Sequence, residues 1–414
     1  MDLGPVTPRI VSVCGALAML AIAYAFSRDR KRVDLRAVLW GVGLQWAFAL
    51  LLLRVPAGRY ALEGVGRAVQ QVLDLTFAGS SFVFSDLGAR EGGASGLGVV
   101  FAFQVLPTIV FIASLFSILY YLGIMQLVVR GLAWVMMRTM GTSGAESLSV
   151  AASVFMGQTE APLTIRPYLV RLTESELFCV VVAGMASVSG AILAAYVAIG
   201  GVKMAHLLTV VAMTAPISLA IAKIIVPETG APETAGDAPK LEEAESRNVF
   251  DAAADGASEG LKLALNVGAM LIAFIALVAL VNLLLGLVPV DDPPTLERLL
   301  GWLFSPLAAL MGVPWEDVPA VAEVLGTRTV INEIIAYQQL HELAPQLAER
   351  SRLIAAYAVC GFANLSSIGI QIGGLGAIVP SRKPDIARLG LLALLAATLA
   401  NFSTACVAGA LLPS

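Results

Sequence analysis

The sequence predicts an all-α polytopic membrane protein with about eight transmembrane helices, two re-entrant hairpins of opposite orientation and interfacial amphipathic helices. Of its 414 residues, 58% are hydrophobic and only 14% are charged, and the mean hydropathy is +0.84. A soluble protein of this length would carry nearly twice that charged fraction. Apolar runs near or above membrane-spanning length recur along the chain. The composition therefore excludes a soluble enzyme with a single membrane anchor.

Eight apolar runs account for the transmembrane helices. They cover 10–27, 37–53, 97–123, 174–201, 204–226, 262–289, 350–379 and 386–412. The first run is followed by the basic cluster Arg28–Arg32, and basic loops stay in the cytoplasm. We therefore expect the N-terminus outside, and a secretory signal is not indicated because the main charge cluster follows the apolar run.

Three further segments do not read as simple spans. Residues 57–78 place apolar side chains at helical spacing among polar ones, which predicts an interfacial amphipathic helix. Residues 142–168 and 314–346 are long enough for two half-spans but too polar to face lipid, so both are predicted to be re-entrant hairpins. The two hairpins enter from opposite sides, and each precedes two spans. Inverted repeats with interrupted helices are typical of secondary transporters.

Polar side chains at membrane depth mark the predicted site. Gln158, Thr159 and Glu160 stand just before Pro162, which breaks the helix. Small residues interrupt the fourth span at 186–190, where they could free carbonyls for a cation. Two more clusters contain Asn332-Glu333 and the segment 361–367. Ionisable groups at this depth are costly and usually indicate a substrate or ion path.

The chemistry of these clusters favours a neutral solute with many hydroxyls and an amide-like edge. Carboxylates accept hydrogen bonds from sugar hydroxyls, and Gln or Asn can pair with both the donors and the acceptors of a base. Phe362 could stack on a ring. Lysine and arginine are absent from these clusters, which argues against a phosphorylated substrate.

Metal, redox and nucleic-acid chemistry are not indicated. The four cysteines lie in apolar runs without CxxC spacing, and the two histidines form no HExxH motif, so no cofactor or resident metal is expected. No basic patch with interleaved aromatic residues suggests nucleic acid. The cysteines are Cys14, Cys179, Cys360 and Cys406, and the histidines are His206 and His341.

At these motifs the chain resembles the concentrative nucleoside transporter family. The resemblance covers essentially the whole chain from the first span onward. The matching strings are Gly-Gln-Thr-Glu-Ala-Pro-Leu (157–163), Asn-Glu-Ile-Ile-Ala-Tyr (332–337), Cys-Gly-Phe-Ala-Asn-Leu-Ser-Ser-Ile (360–368) and Glu-Gly-Leu-Lys-Leu-Ala-Leu-Asn-Val-Gly-Ala-Met (259–270).

The resemblance implies a homotrimer in the bacterial inner membrane, without enzymatic activity, that imports nucleosides with a cation by an elevator movement of its hairpin domain. By motif position it implies nucleobase-facing residues in the first hairpin and ribose-facing residues in the second half. The substrate-binding residues would be Gln158, Thr159, Glu160, Ile192, Glu333, Phe362, Asn364 and Ser367. A sodium ion would be bound by Ser153, Met156, Ser187 and Val188.

The coupling ion is the open question, because the chain departs from the family at Ser153. Sodium-coupled members carry Asn at this position, and a hard cation loses its best oxygen donor when Ser replaces it. We therefore favour a proton over sodium, with Glu160 or Glu333 as the proton carrier. A sodium-coupled nucleoside symporter is the alternative.

The family resemblance also implies a division of the chain. The trimer scaffold and interfacial helix are expected at 1–123 and again at 262–313, with a cytoplasmic acidic linker at 227–261. The transport domain is expected at 124–226 and 314–414, each with one hairpin.

Two rival functions remain. Glu160 and Glu333 could be the acid and base of an intramembrane enzyme acting on a lipid-linked sugar, although inverted hairpins have no obvious catalytic use. A passive channel is the other rival, and the broken polar hairpins argue instead for an occluding site.

Overall fold

The computed structural model describes residues 7–90, 100–236, 246–289 and 293–412, and it is built from helices joined by short connections. Helices α1 to α6 are Thr7–Ala25, Leu35–Leu53, Pro56–Asp74, Thr76–Phe84, Phe101–Tyr121 and Ile124–Met140. Helices α7 to α12 are Gly144–Ala152, Glu174–Ala186, Gly190–Gly200, Met204–Ile225, Val249–Leu285 and Leu296–Leu310. Helices α13 to α17 are Val318–Val330, Glu333–Leu343, Glu349–Val359, Leu365–Ile378 and Lys383–Leu411.

Seven helical stretches of the described chain are long and apolar enough to cross a membrane. They match seven predicted spans within a few residues, except at the start of α11. The remaining prediction, 350–379, is divided into α15 and the shorter apolar helix α16. The fourth span is divided as well, into α8 and α9, at the predicted interruption. The prediction of a polytopic all-α membrane protein is confirmed.

Both predicted hairpins are present, but their halves differ. The first consists of α7 and a 3-10 segment, Ala161–Tyr168, in which Pro162 follows the turn and Ile165 leaves the helical region. Pro167 lies inside the segment, where it has no N–H to donate and clashes with the preceding turn, so the segment does not continue as a regular α-helix. The second hairpin consists of α13 and α14, which are separated at 331–332.

The predicted linker at 227–261 is wrong in its second half. Helix α11 begins at Val249, where the Asn248 side chain accepts hydrogen bonds from the N–H groups of Phe250 and Asp251. This side-chain cap and the alanines that follow favour a helix without making it apolar. Residues 237–245 of the predicted linker lie outside the described residues.

Burial separates an inner group of spans from an outer one. In the most apolar window of each span, 94% of α8–α9 and 89% of α10 are buried inside the protein, but only 12% of α11 is buried. Helix α11 packs along α5, α1 packs on α17, and α2 packs on α10. The inner helices therefore form the core around the site, while α11 keeps a wide apolar surface.

An ionic cluster ties the base of the first hairpin to the end of α10. Lys223 lies 2.8 Å from Glu146 of α7 and 3.3 Å from Glu228, and its amine also donates to the Ser175 hydroxyl at 3.0 Å. Partial burial acts to raise the pKa of Glu228, but the charge of Lys223 and hydrogen bonds from Gly230 and Thr173 lower it below its usual value. The cluster fixes the hairpin at one end.

Candidate functional site

The tip of the first hairpin is organised by Glu160. Its carboxylate accepts from the backbone N–H of Gly157 at 2.9 Å, and its own N–H donates to the Gly157 carbonyl at 3.1 Å. Glu160 thus closes the turn that presents Gln158 and Thr159. Its carboxylate is partly engaged with the backbone, and the exposed Glu259 of α11 is a charged neighbour.

Gln158 joins the first hairpin to one edge of α16. Its amide nitrogen donates to the Ser367 hydroxyl at 3.4 Å, and its amide oxygen accepts from the Gln371 amide at 3.3 Å. Ser367 and Gln371 are four residues apart, so they share a helix face. Thr159 packs on the same helix, because a Cβ placed on Gly374 would lie 2.2 Å from the Thr159 methyl carbon.

The tip of the second hairpin presents Glu333 to the residue that precedes α16. Glu333 is buried, and its Oε2 accepts from the Asn364 amide nitrogen at 2.9 Å. Asn332, in the same predicted cluster, caps α14 by accepting from the Ile335 N–H at 3.1 Å. Asn332 therefore has a structural role in this arrangement, whereas Glu333 points to another element.

Asn364 is held in one orientation by the start of α16. Its amide oxygen accepts from the Ser367 N–H at 2.9 Å and from the Ser366 hydroxyl at 2.7 Å. The oxygen is therefore occupied as the helix N-cap, and the nitrogen is left to donate to Glu333. As a result, the first turn of α16 contacts both hairpins.

The break between α8 and α9 supplies the third side of the site. The Ser187 carbonyl accepts from the Phe362 N–H at 3.3 Å, so the two interrupted spans are joined at their breaks. Ser189 caps α9 by accepting from the Ile192 N–H at 3.4 Å, and Ile192 is 2% exposed. The Gly190 N–H donates to the Phe155 carbonyl at 3.0 Å and ties this break to the first hairpin.

The predicted cation ligands lie on the same two segments. Ser153 ends α7, and its hydroxyl donates to the Ser149 carbonyl at 2.9 Å. Met156 lies in the turn that follows, while Ser187 and Val188 are buried at the α8–α9 break. The buried Ser187 hydroxyl has no hydrogen-bond partner among the described residues. A free hydroxyl beside unwound backbone is suitable for a hard cation.

Two polar residues of the site region were missed from the sequence. Gln371 is fully buried on α16 and bonds both the side chain and the backbone carbonyl of Gln158. Asn401 lies in α17 and donates to the carbonyls of Ala186 and Cys360, the last residues before the two breaks. A polar amide within an apolar run was the available signal in both cases.

An arginine lies directly beside one of the polar clusters, although the clusters themselves contain no lysine or arginine. Arg328 lies in the last turn of α13, five residues before Glu333, and it is 0% exposed. Its Nη2 donates to the Asn401 oxygen. A positive charge thus lies behind the second hairpin tip, packed among protein side chains.

The arrangement can recognise a neutral polar solute from several directions. Amide and hydroxyl groups come from Gln158, Thr159, Asn364 and Ser367, and one carboxylate comes from each hairpin. Among the described residues, no group of three or more His, Cys, Asp or Glu side chains could hold a metal ion.

Three family models match successive parts of the chain. "Na+ dependent nucleoside transporter N-terminus" matches 14–87, "Nucleoside recognition" matches 102–203, and "Na+ dependent nucleoside transporter C-terminus" matches 206–409. Together they follow the chain from α1 to α17.

Curated relatives agree with these matches. The chain is 42% identical to solute carrier family 28 member 3 of Rattus norvegicus over 97% of this chain, but it spans only 59% of that protein's length. It is 39% identical to sodium/nucleoside cotransporter 1 of Rattus norvegicus, over 64% of that protein. It is 43% identical to the uncharacterized transporter YutK of Bacillus subtilis, covering 95% of this chain and 97% of that one.

Solved structures have the same fold. CNTnw in an inward-facing substrate-bound state superposes with a TM-score of 0.91 at 41% identity, covering 97% of this chain and 98% of the other. An outward-facing state of a CNTnw variant gives a TM-score of 0.90 at the same identity, covering 97% of each chain. With the family models and the full-length bacterial relative, these likenesses identify the chain as a member of the Na+-dependent, concentrative nucleoside transporter family.

Proposed function

We propose that this protein is a secondary active symporter that imports nucleosides across the bacterial inner membrane, driven by a cation gradient. The observation that carries the proposal is the hydrogen-bonded edge formed by Asn364, Ser367 and Gln371, which contacts the tips of both hairpins. A solute bound there would have protein on both the base-facing and the sugar-facing sides. Interrupted helices that meet in this way are a recurring plan for transport sites.

Substrate contacts follow from the chemistry of each segment. We assign the nucleobase edge to Gln158, Thr159 and Glu160, since an amide pairs with both donors and acceptors. We assign the ribose hydroxyls to Glu333, Asn364 and Ser367. Ile192 and Phe362 would supply the apolar wall against which a ring packs.

An elevator movement in a homotrimer is the mechanism that we propose. Helices α5 and α11 pack on each other, and α11 keeps most of its apolar surface uncovered, so these two are candidates for the trimer scaffold. The contacts of α1 with α17 and of α2 with α10 favour placing the first two spans with the moving unit. This grouping differs from the sequence expectation, which placed all of 1–123 with the scaffold.

The coupling ion has two candidates, each with its own observation. A proton is favoured because the Ser153 hydroxyl, in place of an amide, donates to its own helix at Ser149. Sodium is favoured by the unpartnered Ser187 hydroxyl and by the family's sodium-dependent members. We retain the proton as the first candidate. Uridine uptake driven by a sodium gradient at fixed symmetrical pH would overturn this choice.

Translocation is tested against the rival functions in reconstituted vesicles. Purified protein in proteoliposomes should accumulate labelled uridine against its gradient and should exchange it in saturable counterflow. A channel would give no counterflow, and an enzyme acting on lipid-linked sugar would give a changed product. The matched relatives carry transporter names rather than enzyme names, which supports transport.

A further inference from the structure

Arg328 is a buried cation that the transport scheme above does not use. Its side chain is 0% exposed, and its Nε and Nη1 atoms have no hydrogen-bond partner among the described residues. Its carbon Cζ lies 5.8 Å from the centre of the Phe402 ring, a cation–π contact that supplies only part of the compensation a buried charge requires. A buried guanidinium without a directly bonded carboxylate is costly, so its charge needs another source of balance.

Glu333, the first residue of α14, lies five positions beyond Arg328, on the other side of the break in the hairpin. The other ionisable groups that face Arg328 are Tyr196 of α9, Tyr337 of α14 and Cys360 after α15. These three are neutral in their ordinary protonated forms. Glu333 in turn faces Arg328, Tyr196 and the neutral amide of Asn364. Glu333 is the acidic member of this group, so it is the candidate to balance the charge of Arg328 across the second hairpin tip.

The ends of the two hairpin helices favour the same arrangement. Arg328 lies in the last turn of α13, and Glu333 is the first residue of α14. A cation is stabilised at a helix C-terminus and an anion at a helix N-terminus. Because the hairpin is interrupted between them, Arg328 lies near the C-terminus of α13 and Glu333 at the N-terminus of α14. Each charge is therefore stabilised by the dipole of its own helix.

Asn401 connects Arg328 to two backbone carbonyls, because both its amide oxygen and its amide nitrogen form hydrogen bonds. Its oxygen accepts from Arg328, and its nitrogen donates to the carbonyls of Ala186 at 2.8 Å and Cys360 at 3.1 Å. The junction is tight, because a Cβ on Gly361 would lie 2.5 Å from the Asn401 oxygen. Arg328 is thereby fixed relative to both interrupted spans.

We propose that Arg328, held by Asn401, is a positioning residue that keeps Glu333 an ionised acceptor for the sugar hydroxyls. The proposal rests on the proposed nucleoside transport and deepens it. One consequence concerns coupling: a proton that accompanies the nucleoside would not be carried by Glu333. Of the two pocket carboxylates, Glu160 would remain as the carrier.

The first test measures the thermal unfolding of the purified oligomer and needs no transport. The variants are Arg328→Met, Glu333→Gln and the double variant, with Arg328→Lys retaining the charge. Ser403→Ala is the matched control, since Ser403 lies two residues after Asn401 and bonds Gln45 instead. Each neutralising single variant should lower the midpoint, because it leaves one buried charge uncompensated.

The double variant decides whether the two charges are coupled. We expect its midpoint to lie above that of Arg328→Met, because removing both charges leaves neither one unbalanced. If Arg328→Met fails to assemble, the double variant should recover the oligomer. Additive losses, or a double variant that assembles no better than Arg328→Met, would overturn the proposal.

The second test measures uridine uptake as a function of pH. Arg328→Met should raise KM by about tenfold or more near pH 6 and by less near pH 8, since Glu333 then loses its neighbouring positive charge. Arg328→Lys should stay within about threefold of the parent protein because the charge remains. An equal loss at both pH values would indicate packing alone. Absence of uptake by the parent protein would refute the proposed function but leave the unfolding result intact.

Discussion

The amide of Asn364 donates to the Glu333 carboxylate at 2.9 Å, while its oxygen accepts from the Ser367 N–H at 2.9 Å. One side chain therefore caps α16 and orients the acidic residue of the second hairpin. This relationship joins the helix start that contacts Gln158 to the carboxylate assigned to the sugar. It makes the site one connected unit.

Asn364→Ala should reduce uridine affinity by about ten- to a hundredfold. A hydrogen bond to a charged group contributes roughly 1.5–3 kcal/mol, and the variant also removes the cap. The measurement is uridine binding to the purified protein, followed by the initial rate of uptake. Glu342→Gln is the control, because Glu342 lies in the same helix as Glu333, the partner of Asn364, but is exposed. Parent-like affinity in Asn364→Ala would contradict the assignment.

Gln371→Leu should raise the KM for uridine by about tenfold. The change removes the donor to the Gln158 side chain, whose amide would then be free to rotate away from the base. Initial uptake rates over a range of uridine concentrations give this value. Gln45→Leu is a matched control, since Gln45 is buried but bonds Thr404 and Ser403. Equal effects of both variants on KM would show that Gln371 has no special role.

Gly374→Ala should strongly reduce uptake, and Thr159→Ser should restore much of it. The added methyl group would lie 2.2 Å from the Thr159 methyl carbon, and serine removes that carbon while keeping the hydroxyl. Gly373→Ala is the control, because nothing lies within 4 Å of a Cβ at that position. The three variants and the double variant are compared by the initial rate of uptake. A double variant as inactive as Gly374→Ala would refute the contact.

Lys223→Met should destabilise the protein by about 3–5 kcal/mol, because it leaves Glu146 as a buried, unpaired carboxylate. The side chains of Lys223 and Glu146 are only 6% and 1% exposed. Chemical unfolding of the purified oligomer measures the change. Arg171→Met is the contrast. Arg171 pairs with Glu233 at a similar distance, 3.0 Å, but the two side chains are 60% and 44% exposed. The loss of stability should therefore be about 1 kcal/mol or less. Equal losses would contradict this account.

The spans and hairpins could be predicted because lipid imposes a strong constraint on sequence. Apolar runs and polar interruptions placed α8, α9 and both hairpins close to their observed bounds. The start of α11 was missed because residues 249–261 form a helix through capping and propensity, neither of which produces an apolar run. Helix α6 was likewise not placed as an element.

The candidate site could be predicted from the sequence only where its residues belong to continuous motifs. Gln158, Glu333 and Asn364 stood out because each carries a polar group at membrane depth. The partners Gln371, Arg328 and Asn401 were not connected to them, since the contacts arise between residues 73 to 213 positions apart. Their polarity was visible in the sequence, but only the packing of α13, α16 and α17 determines what each one contacts.

The central claim is tested most directly by uridine uptake into proteoliposomes under an imposed cation gradient. The protein should accumulate uridine and show saturable counterflow, and Glu160→Ala and Glu333→Ala should each abolish both while the oligomer remains assembled. Size-exclusion chromatography of each variant provides the assembly control. Normal uptake by both variants, or no gradient-driven accumulation by the parent protein, would contradict the account.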